Sequence, residues 1–201
     1  MQKIKTKTKI NMTRLFLRMK HWQFFLLTVG LPFIFQIVFM GTLVATQNVS
    51  AAMTFYFPIM MILFTGGLIG WMFSIGFRFN ALLPEGANMK IGFYKFTVIF
   101  PVIYTLIILF GISGLMTNIE AGNDPNPAIF ALILPVHFFA MFCMFYMLYF
   151  TSKTLKTVEL QKKIGFGDYA GEFFLMWFFP IGIWILQPRI NKIFEDNFEK
   201  R

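Results

Sequence analysis

The sequence predicts an all-α membrane protein with four transmembrane helices. A Pro-broken apolar segment and an amphipathic tail follow them. Three observations carry this reading. The 201-residue chain is 57% hydrophobic and 13% charged, against about 25% charged residues in ordinary soluble domains. Four apolar runs, at 23–46, 55–77, 96–117 and 127–151, each approach the ~20 residues a helix needs to cross ~30 Å of hydrocarbon. All 18 basic residues fall on one side of the membrane if those runs cross it and the last apolar segment does not. Cytoplasmic loops carry the Lys/Arg excess, so the N-terminus is expected in the cytoplasm.

The chain divides into a basic tail and interfacial helix at 1–21, a membrane helical region at 22–188 and an amphipathic tail at 189–201. Residues 1–9 alternate lysine with Gln, Ile and Thr and read as a lipid-attracted tail. Ile10, Leu15, Leu17, Met19 and Trp22 then interleave with Arg14, Arg18 and Lys20. That pattern predicts a short amphipathic helix on the membrane surface. The apolar run that follows is long for a secretory h-region and has no small-x-small site after it, so an uncleaved span is expected.

In the first span, Pro32 removes a backbone donor and predicts a kink. Gln36 needs a partner within the protein, because an unpaired amide in hydrocarbon is costly. The second span carries Gly66, Gly70 and Ser74, a small-residue ribbon that permits close helix packing within or between chains. Leu83-Pro84-Glu85-Gly86 is a turn. The third span is followed by a short loop rich in Gly, Asn, Asp and Pro. The fourth carries His137 and the lone Cys143, and is expected to continue as one helix to about Lys163. Gly165-Phe166-Gly167 breaks it, with Asp168 as N-cap of the next helix.

The segment 173–186 is shorter than the four spans and has Pro180 and Gly182 at its centre. A fifth crossing would place Arg189, Lys192, Lys200 and Arg201 outside, against the positive-inside rule. A re-entrant or interfacial segment is therefore favoured over a short fifth span, closed by Gln187-Pro188. Beyond it, Ile190, Ile193, Phe194 and Phe198 share one helical face.

The chemistry-bearing residues are sparse. No Asp, Glu, Lys or Arg lies within the four spans, where coupled carriers and proton relays place ionisable groups. His137 is the ionisable group at depth besides Cys143, and a hydrogen-bonded packing role is expected for it. The two histidines and single cysteine form no metal-ligand or haem spacing, and no nucleophile has a base beside it. No catalytic residue, cofactor or metal is assigned. The net charge of +9 suits anionic lipid headgroups rather than nucleic acid. Lys153, Lys156, Lys162, Lys163, Asp168, Glu172 and Arg189 form a cytoplasmic polar concentration. It is either a docking patch or a solvated face. The 29 phenylalanines suit lipid-facing bulk and helix packing, or a groove for lipid lined by Phe and Met.

From Leu148 the chain reads Leu-Tyr-Phe-Thr-Ser-Lys-Thr-Leu-Lys-Thr-Val-Glu-Leu-Gln, then Phe-Gly-Asp-Tyr-Ala-Gly-Glu-Phe-Phe-Leu-Met-Trp-Phe-Phe-Pro-Ile-Gly-Ile-Trp-Ile-Leu-Gln-Pro-Arg-Ile-Asn. This stretch, with Asn88-Met89 after Pro84, resembles a group of small polytopic inner-membrane proteins of Bacteroidetes-type bacteria with no established activity. The resemblance implies a bacterial inner-membrane location and adds no site residue. Three functional classes follow: a non-enzymatic subunit or accessory factor of a membrane complex, a permease-type transporter subunit, or a lipid-acting enzyme. The expected partners are membrane lipids and either another protein or a second copy of the chain.

Overall fold

The computed structural model describes residues 12–47, 49–87, 89–124 and 127–200. Most of the basic tail, including Ile10, and also Asn88 and Arg201, lie outside the described residues. Every regular element among the described residues is helical. The α-helices, in chain order, are α1 (Met12–Arg18), α2 (His21–Phe25), α3 (Leu31–Thr46), α4 (Val49–Phe79), α5 (Ile91–Glu120), α6 (Pro127–Leu160), α7 (Phe166–Trp177) and α8 (Phe179–Phe194). Four helices are long and apolar enough to cross a membrane: His21–Thr46, Thr54–Leu82, Ile91–Ile112 and Pro127–Leu160.

The first of these joins α2 to α3 through a π turn, Leu26–Gly30. Pro32 explains that turn. It cannot donate to the Thr28 carbonyl, and the wider turn absorbs the missing bond just before it. The Thr28 hydroxyl donates to the Phe24 carbonyl at 2.7 Å on the same turn. Prolines inside α4, α5 and α6 (Pro58, Pro101 and Pro135) leave those helices unbroken.

The connections follow turn chemistry. Gln47 ends α3 in the left-handed region. Gly86, at φ 78°, closes the turn in which the Ala87 N–H donates to the Pro84 carbonyl. The long helix α6 stops at Leu160, where Gln161 takes φ 49° and its N–H returns to the Thr157 carbonyl. The break thus precedes the Gly165-Phe166-Gly167 stretch in which the sequence places it. Asp168 is not the N-cap of α7. Gly165 holds that place, and Asp168, in the first turn, accepts the Gly165 N–H at 2.8 Å.

α7 and α8 fold back on each other. Phe178, at φ −85° and ψ 50°, separates them. Pro180 sits in the first turn of α8, where a missing N–H costs nothing. Gly182 makes the close return geometrically accessible: a Cβ added there would land on the Leu175 carbonyl. Gln187-Pro188 does not close this segment. α8 runs through Pro188 to Phe194, so the expected boundary at 188–189 falls inside one helix.

The core is gathered at the basic end of the bundle. Trp71, Tyr94, Phe24, Phe79, Phe150 and Phe194 are fully buried there, under α1 and the α7–α8 pair. Farther along the spans, apolar side chains stand outward: Phe110 is 78% exposed, Val44 75% and Leu132 72%. Such a surface is stable only against an apolar medium.

Candidate functional site

The charged residues of α6, α7 and α8 converge on one clasp. Arg189 on α8 grips Glu159 on α6 through two nitrogens, with Nε donating to Oε1 at 2.7 Å and Nη2 to Oε2. The same Nη2 donates to Glu172 Oε1 on α7 at 2.6 Å. Lys156 Nζ, one turn before Glu159, donates to that oxygen at 3.0 Å. Two cations and two carboxylates therefore neutralise one another across three helices. The Glu172 side chain is only 6% exposed. Burial pushes its carboxyl up, but the hydrogen bonds from Arg189 and Lys156 outweigh that and hold it below the usual carboxylate range. Arg189 is held more firmly protonated by its hydrogen bonds to Glu159.

A second, neutral set of contacts binds α8 to α1. Trp71 Nε1 donates to Gln187 Oε1 at 2.6 Å. Gln187 Nε2 donates to the Phe16 and Met19 carbonyls at 2.9 and 2.8 Å. Asn191 Nδ2 donates to the Leu17 and Met19 carbonyls at 2.6 and 3.2 Å. The last turn of α1 leaves carbonyls without helical partners, and two side-chain amides supply donors to them. Behind this layer, the Tyr94 hydroxyl donates to the Met72 carbonyl at 2.6 Å, lies 3.1 Å from Thr151 Oγ1, and its ring stacks on Phe150 at 4.1 Å.

The seven residues of the expected docking patch thus divide. Lys156, Glu172 and Arg189 belong to the clasp. Lys153 turns back onto Tyr149, donating to its hydroxyl at 3.1 Å. Asp168 caps α7. Lys162 and Lys163 remain exposed at the α6–α7 connection. Glu159, Gln187 and Asn191 are not among the residues the sequence assigns to a site. For Glu159 a signal existed: it shares a helical face with Lys156, three residues earlier.

The small-residue ribbon of α4 is shifted from its expected register. Gly66 is exposed with open space around it. Gly67 and Gly70 carry the close approach, since a Cβ added at Gly67 would sit 2.5 Å from Thr28 Cγ2 and one at Gly70 2.7 Å from Phe16 Cε2. Ser74 is buried and donates to the Gly70 carbonyl at 2.6 Å. This packing is against the chain's own first helices.

The two intramembrane polar residues behave differently. Gln36 is half-buried on α3, and the internal partner expected for it is not found among the described residues. His137 Nδ1 on α6 lies 2.9 Å from the Tyr104 hydroxyl on α5. The pair borders a groove of about 380 Å³ between α4, α5, α6 and the end of α7. No group of three or more metal-ligating side chains occurs among the described residues.

No family model, no curated protein and no solved structure matches this chain.

Proposed function

We propose that the chain is a non-enzymatic multi-pass protein of the bacterial inner membrane, serving as a subunit or accessory factor of a membrane complex. Its N-terminus faces the cytoplasm, and α7–α8 dips into the membrane from that side without crossing it. The observation that carries the reading is the clasp. Lys156, Glu159, Glu172 and Arg189 are consumed in holding α7–α8 to α6, so they serve architecture rather than bond chemistry. What the clasp leaves free at the same end is a docking surface. Lys162 and Lys163 are exposed, and beside the clasp lies a polar recess of about 760 Å³ bordered by Glu159, Gln161, Arg189, Lys192 and Asp196.

Affinity purification of the full chain in mild detergent tests this. The wild type should co-purify a protein in fixed ratio. Lys162→Gln with Lys163→Gln should lose most of it while reaching the membrane in equal amount. Neutral glutamines are chosen because acidic replacements beside a span could disturb orientation. Equal recovery of the partner by both proteins would overturn the docking assignment. A stoichiometric ATPase as that partner would favour a permease-type subunit, and conversion of a bound lipid during incubation would favour an enzyme.

A further inference from the structure

The Tyr104–His137 pair holds one hydrogen more than it uses. A neutral imidazole carries one N–H and the phenol one O–H. The single bond between them occupies one donor, whichever tautomer is present. The second donor meets no acceptor among the described residues. An unpaired donor in hydrocarbon is costly, so the site favours a ligand that supplies an acceptor.

Depth narrows that ligand. Tyr104 lies nine residues beyond Lys95 on α5, or ~14 Å along the helix. His137 lies ten residues from Pro127, the start of α6, or ~15 Å. Both distances put the pair near the middle of ~30 Å of hydrocarbon. The ester carbonyls of glycerolipids belong to the interfacial zone and do not reside there. A fatty acid would bring a carboxylate, and no Lys or Arg lies within the four apolar runs to meet it. The acceptor must therefore be neutral, compact and carried by a wholly apolar body.

The walls suit such a body. Met72, Met141, Met144 and Met176 line the groove, and Phe145 and Trp177, with ring centroids 4.5 Å apart, close the end formed by α7. Thioethers adapt to an irregular guest and make favourable contacts with ring edges. The volume, about 380 Å³, is at the small end of ligand sites, roughly 300–1,000 Å³. It suits a ring and the start of a tail, with the open side of the groove leading into lipid.

We propose that this groove binds an isoprenoid quinone, with a ring carbonyl accepting the remaining hydrogen of the Tyr104–His137 pair. The inference concerns binding alone and does not depend on the identity of a docking partner. The full chain, reconstituted in phosphatidylcholine–phosphatidylglycerol vesicles, is titrated with a menaquinone while tryptophan fluorescence is followed. Trp177 borders the groove, so quenching should be saturable. Squalene, an isoprenoid chain without the carbonyl ring, should not relieve it. His137→Phe should weaken binding roughly tenfold, the scale of one hydrogen bond. His137→Gln keeps an amide donor and should bind within roughly threefold of the wild type. Equal weakening in both variants would make His137 a packing residue and overturn the assignment. If His137→Phe does not fold, the wild type decides: quenching linear in quinone content, or relieved by squalene, would end the proposal.

Discussion

Glu172 is where a single atom matters most. Its Oε1 receives both Arg189 and Lys156. Removing Arg189 leaves two carboxylates, Glu159 and Glu172, sharing the single cation Lys156. We expect Arg189→Met to lower stability by about 2 kcal/mol, below the ~3–5 kcal/mol of a fully buried pair, because the Arg189 side chain is 32% exposed. Thermal unfolding in detergent measures this. Glu172→Gln isolates the pH dependence. A carboxyl held below its usual range stabilises the fold at neutral pH, and that contribution is lost as pH falls through its lowered value. The wild type should therefore exceed Glu172→Gln in stability at pH ~7, and the gap should close toward pH ~3. A gap independent of pH would show that the charge on Glu172 contributes nothing to the clasp. Arg189 is held protonated, so its titration does not enter this window.

At the scale of elements, the α7–α8 turn depends on one missing methyl group. Gly182 faces the Leu175 backbone, which cannot step aside as a side chain could. Gly182→Ala should destabilise by at least the ~1–3 kcal/mol of ordinary overpacking. Gly171, on the partner helix, is exposed with open space around it. Gly171→Ala should be neutral or stabilising by up to ~1 kcal/mol through helix propensity. Unfolding midpoints of the two variants check the pair, and similar midpoints would mean that the helices separate at little cost. The sequence announces this turn through Pro180 and Gly182, because missing donors and missing side chains are local properties. The four long helices are legible for the same reason, since length and apolarity need no partner. Which side of α4 meets its neighbours is not legible. That helix is apolar all round, so nothing in its pattern distinguishes Gly66 from Gly67. Thr28 and Phe16 make the distinction in space. Gln187 misleads for a related reason. Beside Pro188 it reads as a helix stop, whereas Trp71 and the end of α1 hold it inside a continuous helix.

Across the whole molecule, the chain's basic ends meet. Arg18, the last residue of α1, pairs with Glu199 beyond α8 at 3.1 Å, and Asn191 donates to the Leu17 carbonyl of α1. These contacts put the α8 end on the same side as α1. Length agrees: α7 has 12 residues and α8 has 16, or ~18 Å and ~24 Å of helix, each short of ~30 Å of hydrocarbon. The outward face of the pair remains strongly apolar, with Phe174, Phe178 and Ile181 each more than half exposed. The proposed re-entrant arrangement puts that face in lipid, with Gln187 and the clasp beneath it. In that arrangement a helical pair entering and leaving by one face satisfies its backbone internally, as membrane depth requires. The consequence is a topology that two cysteines can read. In a Cys143→Ala background, Glu195→Cys marks the exposed π turn after α8, and Asn123→Cys marks the loop between α5 and α6. An impermeant maleimide added to intact cells with the outer membrane opened should label Asn123→Cys at once. It should label Glu195→Cys only after the inner membrane is permeabilised. Immediate labelling at both positions would mean that α7–α8 crosses the membrane. Arg189 would then have to leave Glu159 and Lys156 on the far side, so the clasp and the crossing cannot both hold.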